Sequence, residues 1–327
     1  MNKKRIITTL LMLFMLAALF LPAAIMAEDT RLTQNAYSTD LDIQTEESLA
    51  FTKTFSTIKA GNKKKLAVNK ENVKFTSSNT LIASVSAKGV VKAKRYGTVK
   101  ITASCEDESV TVKIKVKGKK IIGVDAGHQL KANLNVEPIG PGAYTKKTCV
   151  SAGTYGRYSK LKEYQLTLKV AKKLKKVLWN RGYQVVMSRI RHNVNITNRE
   201  RAIKFNNAGC NVVIHIHADG VTSSAAHGAT AIVPASSNPY LSAKTISKSK
   251  KLGQSVLKAY CADTKISSRG LSYKNDLTGI NWSNCAVMFL ELGFMTNQSD
   301  DLYMASQSGQ KQMVKGIADG IDDYFGY

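Results

Sequence analysis

The chain has five histidines in 327 residues. Two of them, His215 and His217, stand two apart in Val212-Val213-Ile214-His215-Ile216-His217-Ala218-Asp219-Gly220. A β-branched run of this length reads as a buried strand, stopped by the turn Ala-Asp-Gly. Residues i and i+2 of a strand share a face, so both imidazoles line one side. Open α/β sheets bind ligands outside the carboxyl ends of their strands. A histidine on the last residue of such a strand is therefore a candidate metal ligand or base. The stretch fits a second reading equally, two buried histidines satisfied by hydrogen bonds and free of chemistry.

Two carboxylates and a third histidine extend the set. Glu163 heads a helical row with Leu166, Val170, Leu174 and Val177, an apolar stripe at helical spacing. A carboxylate at the end of a core-facing stripe is costly to bury unpaired, so a cation is expected beside it. A lysine or arginine would serve, and so would a metal. Glu291 ends the apolar run Met288-Phe289-Leu290, and His128 follows the run Ile121-Ile122-Gly123-Val124. Two neutral imidazoles and one carboxylate make a catalytic zinc set with a coordination position left for water. A further carboxylate that does not touch the metal would accept that water's proton. These four residues converge if their strands are parallel neighbours. The ligands are dispersed, with no HExxH signature to support them.

The elements that must hold these residues follow from patterning. Residues 1–27 carry Lys3, Lys4 and Arg5, an apolar core and small residues up to Ala27, the pattern of an export leader. Removing them takes three positive charges from a net +25 and leaves +22. Such a charge favours an anionic surface through long-range attraction. For an exported protein that means wall polymers rather than nucleic acid. Residues 28–50 hold six acids and one arginine and read as an acidic linker. From 51 to 118 apolar and polar residues alternate with period two, as in Val110-Thr111-Val112-Lys113-Ile114-Lys115-Val116. Short alternating runs broken by turns imply a small all-β sandwich. From 119 to 327 strands alternate with helical periods, which predicts an α/β domain with a central sheet flanked by helices. Within it, 129–158 reads as one long loop, of the kind that borders a site or closes over it. Cys105, Cys149, Cys210, Cys261 and Cys285 show no paired spacing, and no disulfide is proposed.

Two resemblances sharpen this. Phe75-Thr76-Ser77-Ser78-Asn79, Ile82-Ala83-Ser84-Val85, Gly89-Val90-Val91-Lys92-Ala93 and Gly97-Thr98-Val99-Lys100-Ile101-Thr102-Ala103 resemble the bacterial Ig-like group 2 module, a spacer or adhesion unit. Val124-Asp125-Ala126-Gly127-His128, Glu163, Arg181-Gly182-Tyr183, Arg189, Arg199, Ile216-His217-Ala218-Asp219 and Leu290-Glu291-Leu292-Gly293-Phe294-Met295-Thr296-Asn297 are similar, in that order, to the zinc-dependent N-acetylmuramoyl-L-alanine amidases of the amidase_3 family. The resemblance implies that His128, Glu163 and His217 bind one Zn2+ and that Glu291 is the catalytic carboxylate. It implies hydrolysis of the amide between N-acetylmuramic acid and the L-alanine of the stem peptide. Arg189 and Arg199 match family positions and are read as structural.

Gln129, His215 and Asp219 depart from the usual Gly, Ser and Asn, which touches substrate detail and no ligand. The expected partners are peptidoglycan and anionic wall polymers, with no nucleic acid and no membrane insertion once the leader is removed. The expected location is outside the cell, at the wall. Two other function classes compete: a non-catalytic wall-binding or adhesion protein, and a zinc peptidase cutting within the stem peptide.

Overall fold

Alternation between 51 and 117 folds into nine short strands: β1 (Phe51–Lys53), β2 (Thr57–Lys59), β3 (Lys63–Lys65), β4 (Ala67–Val68), β5 (Lys74–Ser77), β6 (Ala83–Val85), β7 (Val90–Ala93), β8 (Gly97–Cys105) and β9 (Glu108–Lys117). The structure, a computed structural model, describes residues 47–327. The expected leader and most of the expected linker lie outside them. A four-stranded sheet β2-β9-β8-β5 and a three-stranded sheet β3-β7-β6 form the sandwich. Ile58, Val99, Ile101, Ile114 and Val116 of the first share one core with Ala83, Val91 and Ala93 of the second. Residues 48–50, expected in the linker, belong to this unit. Leu49 is buried and its N–H donates to Glu108 Oε2 at 3.0 Å, while Ala50 N–H donates to Asn69 Oδ1 at 2.8 Å.

The remainder comprises β10 (Ile121–Ala126), β11 (Asn133–Pro138), β12 (Lys146–Val150), α1 (Glu163–Asn180), β13 (Gln184–Met187), α2 (Asn198–Asn207), β14 (Val212–Asp219), β15 (Ala229–Pro234), α3 (Ala243–Thr264), β16 (Ser268–Lys274), α4 (Thr278–Asn281), β17 (Ala286–Phe294), α5 (Gln298–Ala305) and α6 (Gln307–Phe325). The central sheet runs β13-β10-β14-β17-β15-β16. Its first four strands are parallel, β15 is antiparallel to β17, and β16 is parallel to β15. β10, β14 and β17 are thus the parallel neighbours that convergence requires.

Side-chain parity divides the sheet's two faces. Ile122, Val124, Ile214, Ile216, Met288 and Leu290 pack with α1, α3 and α6 in the larger core. Val213 and Val287 point the other way, into a smaller core with Phe205 of α2 and Ile280 of α4. Asp125, His215, His217, Phe289 and Glu291 have the parity of this second face.

The expected loop 129–158 contains an antiparallel hairpin, β11 paired with β12. The sequence does not signal these strands because little of them is buried: Leu134 is 75% and Val136 60% exposed, so no apolar face marks the period. The polar edge strand β16 and the short helices α4 and α5 were also not anticipated. A capping box at Thr197 opens α2, with Glu200 N–H donating to Thr197 Oγ1 (3.1 Å) and Thr197 N–H donating to Glu200 Oε2 (2.8 Å). The β-sandwich abuts the far end of α1, where Trp179 Nε1–H donates to Tyr96 O at 2.7 Å under the Arg95 guanidinium. All five cysteines are free. Among the described residues no helix is long and apolar enough to cross a membrane.

Candidate metal centre and its pocket

β10 delivers His128 two residues past its end, in the left-handed region at φ 57°. Non-glycine residues occupy that region at a cost, and they cluster where a site demands it. Gly127 before it has no room for a side chain, since a Cβ there would collide with the His217 ring. His217 comes from β14, which continues to Asp219 with a register shift against β17. Glu163 is the first residue of α1, the helix on the opposite face. It reaches the site over the carboxyl edge of the sheet.

These three meet. Glu163 Oε1 lies 3.1 Å from His128 Nε2 and 3.0 Å from His217 Nδ1, and the two nitrogens are 3.2 Å apart. Tetrahedral zinc with bonds of 2.0–2.2 Å holds its ligand atoms roughly 3.3–3.6 Å apart. The set is slightly tighter than that and needs only a small expansion. His128 Nδ1–H donates to Ser151 O at 2.9 Å, which fixes the tautomer and turns Nε2 into the cluster. Glu163 also accepts Ala218 N–H on Oε1 (3.1 Å) and Thr154 N–H on Oε2 (2.9 Å). Its ion-pair partners among the described residues are the two histidines, with no lysine or arginine. The donor set therefore fits a divalent cation better than a structural salt bridge. Burial opposes ionisation of Glu163, but hydrogen bonds from His128 and His217 outweigh it, and its pKa lies far below the usual carboxylate range. Burial holds His217 below the usual imidazole value. For His128 burial acts in the same direction, and the neighbouring Glu163 reverses it into a raised pKa.

Glu291 stands beside this cluster without joining it. It pairs in register with His217 on the adjacent strand, so the two side chains share a face. It sits inside β17, which runs on to Phe294, and does not end the strand as expected. A pocket of about 210 Å3 is lined by His128, His217, Glu291, Ser151, Phe289 and Thr278. Burial first, then the negative charges of Glu163 and Asp219, push the Glu291 pKa well above the usual value. A carboxyl so placed holds a proton more strongly than one in water.

Behind the pocket lies an ionic layer that was largely missed. Asp125, buried, accepts from Arg201 Nη1 on Oδ1 (2.9 Å) and from His215 Nδ1 on Oδ2 (2.8 Å). Burial opposes its charge, but Arg201 and His215 prevail and hold it well below the carboxylate range. Arg201 also donates to Ala126 O (2.8 Å), His128 O (3.0 Å) and Gln129 Oε1 (3.2 Å). It clamps the whole turn that carries His128. Arg189 ties the same turn to α1, donating to Ala126 O (2.9 Å), Gly127 O (2.9 Å) and Tyr164 O (2.8 Å). Burial, with the like charge of Arg201, lowers its pKa to about 10. Arg199 lies 4.4 Å over the Trp282 ring and does not line the pocket. His215 stacks on Phe289 at 4.1 Å and lies outside the ligand cluster. The signal for Arg201 was its place four residues before Phe205, on the buried side of an otherwise polar helix.

Comparison with known proteins agrees with this architecture. The family described as N-acetylmuramoyl-L-alanine amidase matches residues 122–323, and the bacterial Ig-like domain (group 2) matches 47–116. A probable cell wall amidase, LytH, of Staphylococcus epidermidis is 28% identical over 167 residues, 51% of this chain and 51% of that protein. The chain thus spans about half the length of these staphylococcal relatives. An N-acetylmuramoyl-L-alanine amidase of Mycobacterium tuberculosis is 24% identical over 210 residues, 62% of this chain and 84% of that protein. The crystal structure of the amidase Ami1 from Mycobacterium smegmatis superposes with a TM-score of 0.58 at 24% identity, covering 64% of this chain and 98% of that one.

Proposed function

The chain belongs to the N-acetylmuramoyl-L-alanine amidase family, which matches more than half of it, and from that membership we propose that it is a zinc-dependent peptidoglycan hydrolase. The bond cut is the amide between the lactyl group of N-acetylmuramic acid and the L-alanine of the stem peptide. Three donor atoms 3.0–3.2 Å apart, on a buried Glu163 with no lysine or arginine beside it and two half-buried histidines, open on a pocket walled by Glu291 and carry this reading. In it His128, Glu163 and His217 hold the zinc. Bound zinc supplies Lewis acidity for the amide carbonyl and lowers the pKa of an attacking water.

The chain's own residues do the rest. Ser151 O and the Arg201 clamp orient His128. The backbone N–H groups of Thr154 and Ala218 orient Glu163. Glu291 takes a proton from the water and passes it to the leaving amine, a transfer suited to a carboxyl of raised pKa. Phe289 and Thr278 narrow the space around these atoms. The protein is read as exported through residues 1–27, with a β-sandwich spacer from 51 to 118, a catalytic domain from 119 to 327, and its place of action at the wall.

The test is mass spectrometry of sacculus digests. Free muramic lactyl groups together with new L-alanine amino termini are expected. Cuts within the peptide would mark a peptidase instead, and no products would mark a binding protein. Glu291→Ala should keep stoichiometric zinc and lose about 10²–10⁴-fold in rate. His217→Ala should lose the metal, and zinc retained at one equivalent would refute its role as a ligand.

A further inference from the structure

Every outward-pointing side chain on the β2-β9-β8-β5 sheet is a lysine or a hydroxyl. Register and burial place Lys113, Lys115 and Lys117 on the exposed face of β9, with Lys59 beside Lys117 on β2 and Lys100 opposite Lys113 on β8. Lys74 on β5 completes the set, opposite Ser104. Thr57 and Thr98 flank Lys115 on its two neighbouring strands. The acids of this unit, Glu71, Glu106, Asp107 and Glu108, lie in turns or at the inward-facing start of β9. None of the six lysines forms an ion pair among the described residues.

A merely solvated face is most stable with both signs interspersed, and like charges directly opposite each other across strands are destabilising. Lys100 facing Lys113 is such a pair. We propose that this face is a docking surface for a linear phosphodiester polymer without bases, such as a poly(glycerol phosphate) chain. The chemistry selects phosphate. Its oxygens only accept, and ammonium and hydroxyl groups donate to them side by side. Lysines at i, i+2 and i+4 along β9 recur about every 7 Å, which presents a row of cations to an extended chain. The face carries no aromatic ring, so the bases of a single-stranded nucleic acid have nothing to stack on. The inference stands on the β-sandwich alone and does not depend on the amidase reading.

Binding of the full chain to immobilised poly(glycerol phosphate) tests it, with the triple variant Lys100→Gln, Lys113→Gln, Lys115→Gln. At low salt the variant should bind about tenfold or more weakly, with a shallower salt dependence as fewer counterions are released. A control of equal charge, Lys169→Gln, Lys172→Gln, Lys176→Gln on the exposed side of α1, should stay within about twofold of wild type. Equal weakening by both variants would reduce the effect to net charge and overturn the proposal. Tighter binding to single-stranded DNA or to polyglutamate than to the polymer would also overturn it. The triple variant loses only repulsion, so its melting temperature should not fall, and a melt beside each titration verifies folding. Turnover of soluble muramoyl-peptide fragments should match wild type in both variants. Absence of that turnover in wild type would count against the amidase reading and leave the binding result intact.

Discussion

Asp125→Asn probes the ionic layer beneath the candidate metal centre. The substitution keeps the size of the side chain and removes one charge. Arg201, buried, would then be left with carbonyl and amide oxygens and no anion. Breaking a buried pair in this way costs about 3–5 kcal/mol, most of it the penalty of the orphaned charge. For a domain of this size about 1 kcal/mol moves the melting temperature by roughly 2–4 °C, so a fall on the order of 10 °C is expected. The measurement belongs in the metal-free protein, where folding is separated from ligation. Because Arg201 grips His128 O (3.0 Å), zinc affinity should fall as well, by about 10–100-fold as for other outer-sphere partners, read by chelator competition. In a double-mutant cycle Arg201→Met should rescue part of the loss, since it removes the orphaned cation. An apo stability within about 1 kcal/mol of wild type, together with unchanged zinc affinity, would falsify the idea that Asp125 and Arg201 act as a unit.

Metal removal should lower the melting temperature of the wild type, since a ligand at about 100 times its Kd contributes about 2.7 kcal/mol; the shift should vanish in His217→Ala, and an identical melt with and without chelator would exclude a bound ion. Glu291→Gln should stabilise the metal-free protein increasingly as pH rises. The folded-state pKa of Glu291 is raised, by burial and by Glu163 and Asp219, so the native state binds the extra proton and the wild type loses stability from about pH 4.3 upward. Melts at about pH 4.5 and about pH 7.5 should show the larger gain at the higher pH, and a gain confined to the lower pH would reverse the sign.

The parts of this fold legible in the sequence are those whose burial is one-sided or complete. β14 announced itself because Val212, Ile214 and Ile216 are fully covered, and α1 because Leu166, Val170 and Leu174 fall on one stripe. The hairpin β11–β12 and the edge strand β16 lie largely in solvent, and their residues carry no apolar period to read. Strand ends were misplaced for a related reason. Leu292 and Phe294 continue the buried pattern of β17 past Glu291, so the carboxylate sits within the strand. The need for a cation at Glu163 was legible from the cost of burying it, but whether that cation is a side chain or a metal was not. Which partners Glu163 meets depends on the residues that come over the sheet edge, and among the described residues these are His128 and His217.

The two histidines that share a strand face show the same limit. Parity placed His215 and His217 together, and the larger distinction between them comes from neighbours far away in sequence. His217 meets Glu163 and His128 at the open end of the sheet, whereas His215, one pleat deeper, meets Asp125 at 2.8 Å and stacks on Phe289. Phe289 also stacks on His217, at 5.3 Å between centroids. The aromatic ring and the two imidazoles therefore form one packed column running from the buried Asp125–Arg201 pair to the ligand cluster. Displacing any member of a close-packed column moves the next. The histidine at 215 thus fills volume that a smaller residue would leave open, and its hydrogen bond, beside that of Arg201, helps to keep Asp125 ionised.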